Sequence, residues 1–186
     1  MRRTIQKSIR ALVIFSLICG VFYPLMVTVL AQLIAPRAAN GSLVTVNDKA
    51  VGSSLLGQKF TKAEYFWGRP SAVDYGTMPG GASNLGPTSQ KLNERVTISM
   101  KDLGVDPNAE NKPYELLLAS GSGLDPDITP EGASFQADRV ARARGLDASL
   151  IRKLIDENTE GSFMGLIGRP RVNVLRLNLA LDGLKR

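Results

Sequence analysis

The stretch ALVIFSLICGVFYPLMVTVLAQLIA, Ala11 to Ala35, runs for 25 positions without a charged residue. As a helix rising ~1.5 Å per residue it reaches roughly 37 Å, more than the ~30 Å hydrocarbon layer of a bilayer. The run predicts one transmembrane helix over 11–35, able to span with some tilt. Pro24 sits inside it. Proline there frees a carbonyl and can kink the helix, which is tolerated where a neighbouring helix packs. A signal peptide has an apolar stretch of ~7–15 residues, so the length argues for a retained anchor over a cleaved leader. Cys19 lies within the span and reads as a small apolar residue, not a redox group.

The flanks give direction. Arg2, Arg3, Lys7 and Arg10 precede the span, Arg37 alone closely follows it, and no acid occurs before Asp48. The excess of cations predicts a cytoplasmic basic tail over 1–10 and a domain over 36–186 on the periplasmic or extracellular side. The setting is then the cell inner, or plasma, membrane, crossed once.

The whole chain carries 23 Lys and Arg against 17 Asp and Glu. Without the five cations around the span, 18 bases face 17 acids. The body is nearly neutral, so no nucleic-acid partner is expected. There is no His and one Cys. That excludes an internal disulfide, zinc sites of the Cys/His kind and imidazole-dependent catalytic triads.

Beyond the anchor the pattern predicts an α+β domain with a short hairpin and several helices. Residues 42–46 and 50–52 are rich in β-branched side chains around Asn47-Asp48-Lys49, a hairpin signal. Phe60, Tyr65, Phe66 and Trp67 are four of the chain's eleven aromatics. They form either a core segment or an aromatic patch for a partner or a membrane surface. Residues 70–88 carry one charge, Asp74, with Gly80, Gly81 and Gly86 among them, and read as a long loop.

Helices are predicted over 89–103, stopped by Gly104, and from Thr129-Pro130 to about Ala143, stopped by Gly145. Leu150, Ile151, Leu154 and Ile155 repeat at helical spacing, with Gly161 as the expected stop. Residues 113–118 are apolar but of undecided type. Residues 173–184 fit both a strand and a helix period. Their Leu, Ala and Arg content and an Asn173 cap favour helix.

Ser120-Gly121-Ser122-Gly123-Leu124-Asp125-Pro126-Asp127 is the most suggestive stretch for chemistry. Glycines with hydroxyls can form an anion nest. No Lys-Ser or Lys-Thr follows, so it is not a P-loop, and a third glycine for a dinucleotide fingerprint is missing. A tight connection with Asp125 and Asp127 capping turns is the plainer reading. The two acids could also chelate a cation, though not as an EF-hand. No metal site, firmly bound cofactor or catalytic residue is assigned. An alternative is a membrane-anchored periplasmic carboxylate enzyme or binding module built on Asp125 and Asp127.

Five motifs resemble one family. They are Tyr65-Phe66-Trp67-Gly68-Arg69-Pro70-Ser71-Ala72, Ala82-Ser83-Asn84-Leu85-Gly86-Pro87, and Ala119 to Pro126 followed by Ile128-Thr129-Pro130-Glu131. Arg139-Val140-Ala141-Arg142-Ala143-Arg144-Gly145-Leu146 and Pro170-Arg171-Val172-Asn173-Val174-Leu175, continued to Asp182, complete them. In this order behind one span, over nearly the whole chain, they resemble the C subunits of Kdp-type potassium-transporting P-type ATPases.

That resemblance implies an accessory subunit of a four-part complex. Its partners would be a channel-like A subunit that selects the ion, a P-type ATPase B subunit and a small single-span F subunit, within the lipid bilayer. It also implies a part in assembly and activity, as a catalytic chaperone raising the B subunit's affinity for ATP. Potassium would be the transported ion, and ATP a ligand reached through the complex. Ser120, Gly121, Ser122 and Gly123 would be the nucleotide-binding stretch by that resemblance. Tyr65, Phe66, Trp67, Asn84 and Pro24 are the candidate partner contacts. With the domain outside, an effect on ATP would be a coupling between distant sites.

Overall fold

The computed structural model describes residues 1–78, 80–162, 164–165 and 167–184. By packing, the chain divides into two units, Met1–Val51 and Gly52–Arg186.

The first unit is dominated by a helical run of 33 residues, Arg2–Ile34. It consists of α1 (Arg2–Leu17), a π-helical turn (Ile18–Phe22) and α2 (Tyr23–Ile34). Helicity therefore begins well before the charge-free stretch and includes all four leading cations. The π turn has a cause in Pro24. Its ring has no N–H to give and clashes with the carbonyl four residues back, so the preceding turn widens. The Tyr23 N–H accordingly donates five residues back, to Ile18 O, and Thr28 Oγ1 donates to Pro24 O at 2.8 Å.

Ala35 leaves helical geometry (φ −143°), and Pro36–Ala39 form a single turn, α3. Gln32 and Asn40 exchange two amide hydrogen bonds of 3.2 and 3.0 Å, and Asn40 Nδ2 also reaches Pro36 O at 2.7 Å. The chain thus leaves its long helix through a clipped elbow. The hairpin follows as β1 (Leu43–Val46) and β2 (Lys49–Ser53). Asn47 and Asp48 both have positive φ (49° and 60°), as a two-residue type I′ turn requires.

In the second unit, α4 (Gln90–Leu103) buries no residue completely and ends at Gly104, which is left-handed with φ 67°. A short helix, α5 (Tyr114–Leu117), settles the undecided apolar run and buries Leu116 and Leu117. β3 (Asp127–Ile128) leads into α6 (Pro130–Arg144), where Thr129 Oγ accepts from Gly132 N and Gly145 closes the end at φ 66°. α7 (Ala148–Glu157) is capped by Asp147. It stops at Asn158, not Gly161, because the Asn158 amide donates to Leu154 O at 2.8 Å and folds over the last turn. β4 (Thr159–Glu160), β5 (Arg171–Asn173) and α8 (Val174–Gly183) complete the order.

The sheet order is β3-β5-β4, antiparallel throughout, with Ile128 opposite Val172 and Thr159 opposite Val172. The core lies between this small sheet and α6, α7 and α8. Phe66, Ile128, Ala133, Ala137, Val140, Ile151, Ile155, Val172, Leu177 and Leu181 fill it. Ala133, Ala137 and Ala141 repeat every four residues along α6. Their small side chains let α7 approach closely. Each fully buried large side chain, such as Phe66 or Leu177, contributes about 2 kcal/mol of transfer energy. The α+β expectation therefore stands, and the second unit adds a three-stranded sheet to the expected hairpin.

Candidate functional site

The aromatic segment is held by two buried amide side chains. Gln136 on α6 and Asn178 on α8 are both almost fully buried. Phe66 N donates to Asn178 Oδ1 at 2.8 Å, and Asn178 Nδ2 donates back to Phe66 O at 3.0 Å. Trp67 N donates to Gln136 Oε1 at 2.8 Å, and Gln136 Nε2 donates to Trp67 O at 3.0 Å. The two carboxamides thus do for residues 66–67 what a neighbouring strand would do, and satisfy backbone groups with no ladder of their own.

Two arginines of α6 close over the same segment. Arg139 lies 4.1 Å from the Trp67 ring centre and donates to Ala63 O (2.6 Å), Tyr65 O (3.1 Å) and Gln136 Oε1 (2.7 Å). Burial lowers its guanidinium to about 10, which leaves it a cation at neutral pH. Arg144 has a side chain only 1% exposed. It donates to Glu64 O at 2.8 Å, pairs with Asp182 at 2.7 Å and lies 4.9 Å from the Tyr65 ring centre. Tyr65 O–H donates to Asp182 Oδ2 at 3.1 Å. Desolvation and then that carboxylate push the phenol above its ordinary range.

Phe66 is fully buried, so the stretch offers Tyr65 and Trp67 to a surface contact but not Phe66. Asn84 is exposed, with φ 51°, and Pro24 is exposed on its helix. The aromatic cluster and Asn84 therefore belong to the second unit and Pro24 to the first.

The glycine–serine stretch is a packed turn. Ser120 is buried, and its N–H donates to Pro70 O at 3.2 Å. Gly123 N donates to Ser120 O, Leu124 N to Ser122 Oγ, and Asp127 N to Asp125 Oδ1. Gly123 has φ +71°. A Cβ there would lie 3.0 Å from Gly81 O and 3.2 Å from Ser71 Oγ. Glycine is needed both for the left-handed backbone and for the close approach of the 70–88 loop. Gly121 and Ser122 are exposed, and nothing lies within 4 Å of a Cβ placed at Gly121.

The loop is braced on the other side. Ser71 Oγ accepts from Val73 N and Tyr75 N, and Tyr75 O–H donates to Arg69 O at 2.7 Å. Burial, with Asp74 nearby, pushes the Tyr75 phenol upward. Arg69 Nη1 meets Asp125 Oδ2 at 3.0 Å, while its buried Nε has no hydrogen-bond partner among the described residues.

Asp127 accepts from Asn173 Nδ2 at 3.0 Å and faces Arg171 at 3.4 Å. Asp125 thus caps a turn, whereas Asp127 caps none that is described and holds Asn173 and Arg171. Among the described residues no group of three or more His, Cys, Asp or Glu gathers where a metal ion could be held.

A cleft of about 460 Å³ is lined by Lys59, Phe60, Trp67, Ser71, Tyr75 and Asp102, among others. A groove of about 750 Å³ runs past Tyr114, Glu115, Phe135 and Arg169. Residues 120–123 line neither. Glu115 accepts from both Thr129 N and Thr129 Oγ1 at the start of α6, and a side chain at Gly132 would overlap its carboxylate.

Gln136, Asn178 and Glu115 were not singled out by the sequence reading. Each looks like an ordinary polar residue on a helix. The one available signal was that Gln136 and Asn178 stand at buried positions of the helix stripes that contain Val140 and Leu181.

The fold defines a class: a small α+β domain behind one apolar helix long enough to cross a bilayer. A family model described as "KdpC: K+-transporting ATPase, c chain" matches residues 5–183, and the chain belongs to that family. It is 49% identical to a potassium-transporting ATPase KdpC subunit of Gloeobacter violaceus, covering 98% of this chain and 97% of the relative. A KdpC subunit of Rhodopseudomonas palustris is 44% identical over the full length of both, and one of Methylococcus capsulatus 48% identical over 97% of each.

Proposed function

We propose that this chain is the non-catalytic accessory subunit of an ATP-driven potassium uptake complex. One observation carries the reading: a single family match takes in both the spanning helix and the domain, from residue 5 to residue 183. Its partners are a channel-like subunit, a P-type ATPase subunit that performs hydrolysis, and a small single-span subunit. The N-terminus is cytoplasmic, in line with the cationic flank, and the domain lies outside the inner membrane.

ATP affinity in the ATPase subunit rises through a coupling free energy between separated sites. Two features support coupling over contact. Ser120 and Gly123 are enclosed by the 70–88 loop. The amides of Gly123 and Leu124 are bonded within the turn.

A tagged chain purified in mild detergent from potassium-starved cells should bring down the channel-like and ATPase subunits. Recovery of the chain alone would overturn the reading. Alkaline phosphatase fused at the C-terminus should be active, and an inactive fusion places the domain inside.

A further inference from the structure

The connection between β4 and β5 carries Gly-Ser-Phe-Met-Gly-Leu-Ile-Gly over 161–168, with no charge and one hydroxyl. Met164 is 82% exposed and Ile167 68% exposed. Two large apolar side chains this exposed within one short connection mark a candidate contact surface.

The base of the connection is fixed. Thr159 pairs with Val172 and Glu160 with Arg171, and Glu160 takes ion pairs from Arg171 (3.0 Å) and Arg176 (2.8 Å). No acid occurs from Gly161 to Leu181. Arg169, beside the apolar stretch, has no ion-pair partner among the described residues. We infer that this hairpin tip is a second, shallow membrane contact, in which Met164 and Ile167 enter the acyl boundary of an anionic leaflet and Arg169 meets lipid phosphate.

Three arguments favour lipid over a protein partner. The first is tethering. Only residues 35–51 separate the long helix from the second unit. Fully extended they reach at most ~60 Å, and a domain of this size has a radius of gyration of about 14 Å. A bilayer holding the helix is therefore always within reach, at high effective concentration.

The second is shape. Glycines at 161, 165 and 168 leave little side-chain relief for a complementary protein surface. A fluid acyl layer requires only apolar area. The third is charge. Arg169 makes no ion pair among the described residues, even with Glu110, Glu115 and Glu131 lining the same groove, and a cation next to apolar side chains matches the phosphate level of an anionic leaflet. The inference rests on the helix being a membrane anchor and is independent of the transport role.

Three full-length chains test it, each with a single environment-sensitive thiol label. They are the native chain labelled at Cys19, Cys19→Ser/Ile167→Cys, and Cys19→Ser/Lys101→Cys as an exposed α4 control. All are reconstituted in phosphatidylethanolamine–phosphatidylglycerol vesicles with acyl-chain-brominated lipid. The labels at 19 and 167 should lose emission, and the label at 101 should keep it. Replacing phosphatidylglycerol by phosphatidylcholine, or adding Arg169→Gln, should lower quenching at 167 and leave that at 19 unchanged.

A label at 167 that behaves like 101 while 19 is quenched overturns the inference. So does shielding of 167 that appears only when the other subunits are present, which would assign the tip to a protein partner. An unquenched label at 19 overturns the anchor itself.

Discussion

The carboxamide of Gln136 and the backbone of Trp67 form a closed pair, with Trp67 N–H on Oε1 at 2.8 Å and Nε2 on Trp67 O at 3.0 Å. The same oxygen also accepts from Arg139. One side chain thus connects the aromatic segment, α6 and the cation over the Trp67 ring.

Gln136→Ala would strand two backbone groups of Trp67 and loosen Arg139. Each unsatisfied buried group costs about 1–3 kcal/mol, so a loss of about 2–4 kcal/mol is expected, read from denaturant midpoints. Asn178→Ala should cost a similar amount through Phe66. A loss below about 1 kcal/mol for both would show that water replaces these bonds.

The two glycines of the candidate nucleotide stretch should part company. Gly123→Ala forces a side chain into a left-handed backbone against Gly81 O and should destabilise by about 1–3 kcal/mol. Gly121→Ala and Ser122→Ala meet open space and a local turn bond, and should leave stability nearly unchanged. In the assembled complex they should also leave the ATP concentration for half-maximal hydrolysis where it is. A several-fold rise with either would mean direct contact with nucleotide.

Asp127 gives a sign for acid titration. Burial raises its carboxyl above the ordinary 3.8, against the lowering from Asn173 and Arg171. In the window above 3.8 the folded chain binds this proton more readily than the unfolded chain. Its contribution to stability therefore increases as pH falls through the folded value and is lost as pH rises. Asp127→Asn, which keeps an acceptor for Asn173, should flatten that part of the pH profile. An unchanged slope in urea midpoints between neutral pH and about pH 4 would refute it.

The elbow after the long helix can be probed at Arg37. In α3 its carbonyl accepts from Ser42 N at 2.9 Å, and Asn40 ties the turn to Gln32. Asn40→Ala removes the clip. Local opening then becomes easier, and trypsin should cut after Arg37 several-fold faster. Equal rates in both chains would mean that the turn stands without the amide pair.

Much of the helical framework was legible because its ends carry distinctive chemistry. Thr129 and Asn173 cap as expected, accepting from Gly132 N and Arg176 N, and Gly104 and Gly145 stop their helices in left-handed geometry. The helix over 174–183 followed propensity against an equally good strand period.

The three-stranded sheet was not legible. Strands of two and three residues, such as Asp127–Ile128 and Arg171–Asn173, are too short for an alternation to register. Asn158 took the role expected of Gly161 because a side-chain amide can close a helix end as well as a left-handed glycine can. The clamp around residues 63–67 was hidden for another reason. Gln136, Arg139 and Arg144 are strong helix formers, and the two arginines lie among the three cations in the second half of α6. Only the tertiary fold turns them toward backbone carbonyls 37 to 80 positions away.

The widened turn at Ile18–Phe22 changes how the spanning segment should be compared with any neighbour. One surplus residue is accommodated there, so azimuths assigned to Leu12 or Phe15 by a uniform 100° wheel drift by about one position relative to those of Val27 or Leu30. The stripes of this rod must be drawn as two offset registers that meet ahead of Pro24, and a seam traced straight through would run off its own stripe by about 100° beyond that point.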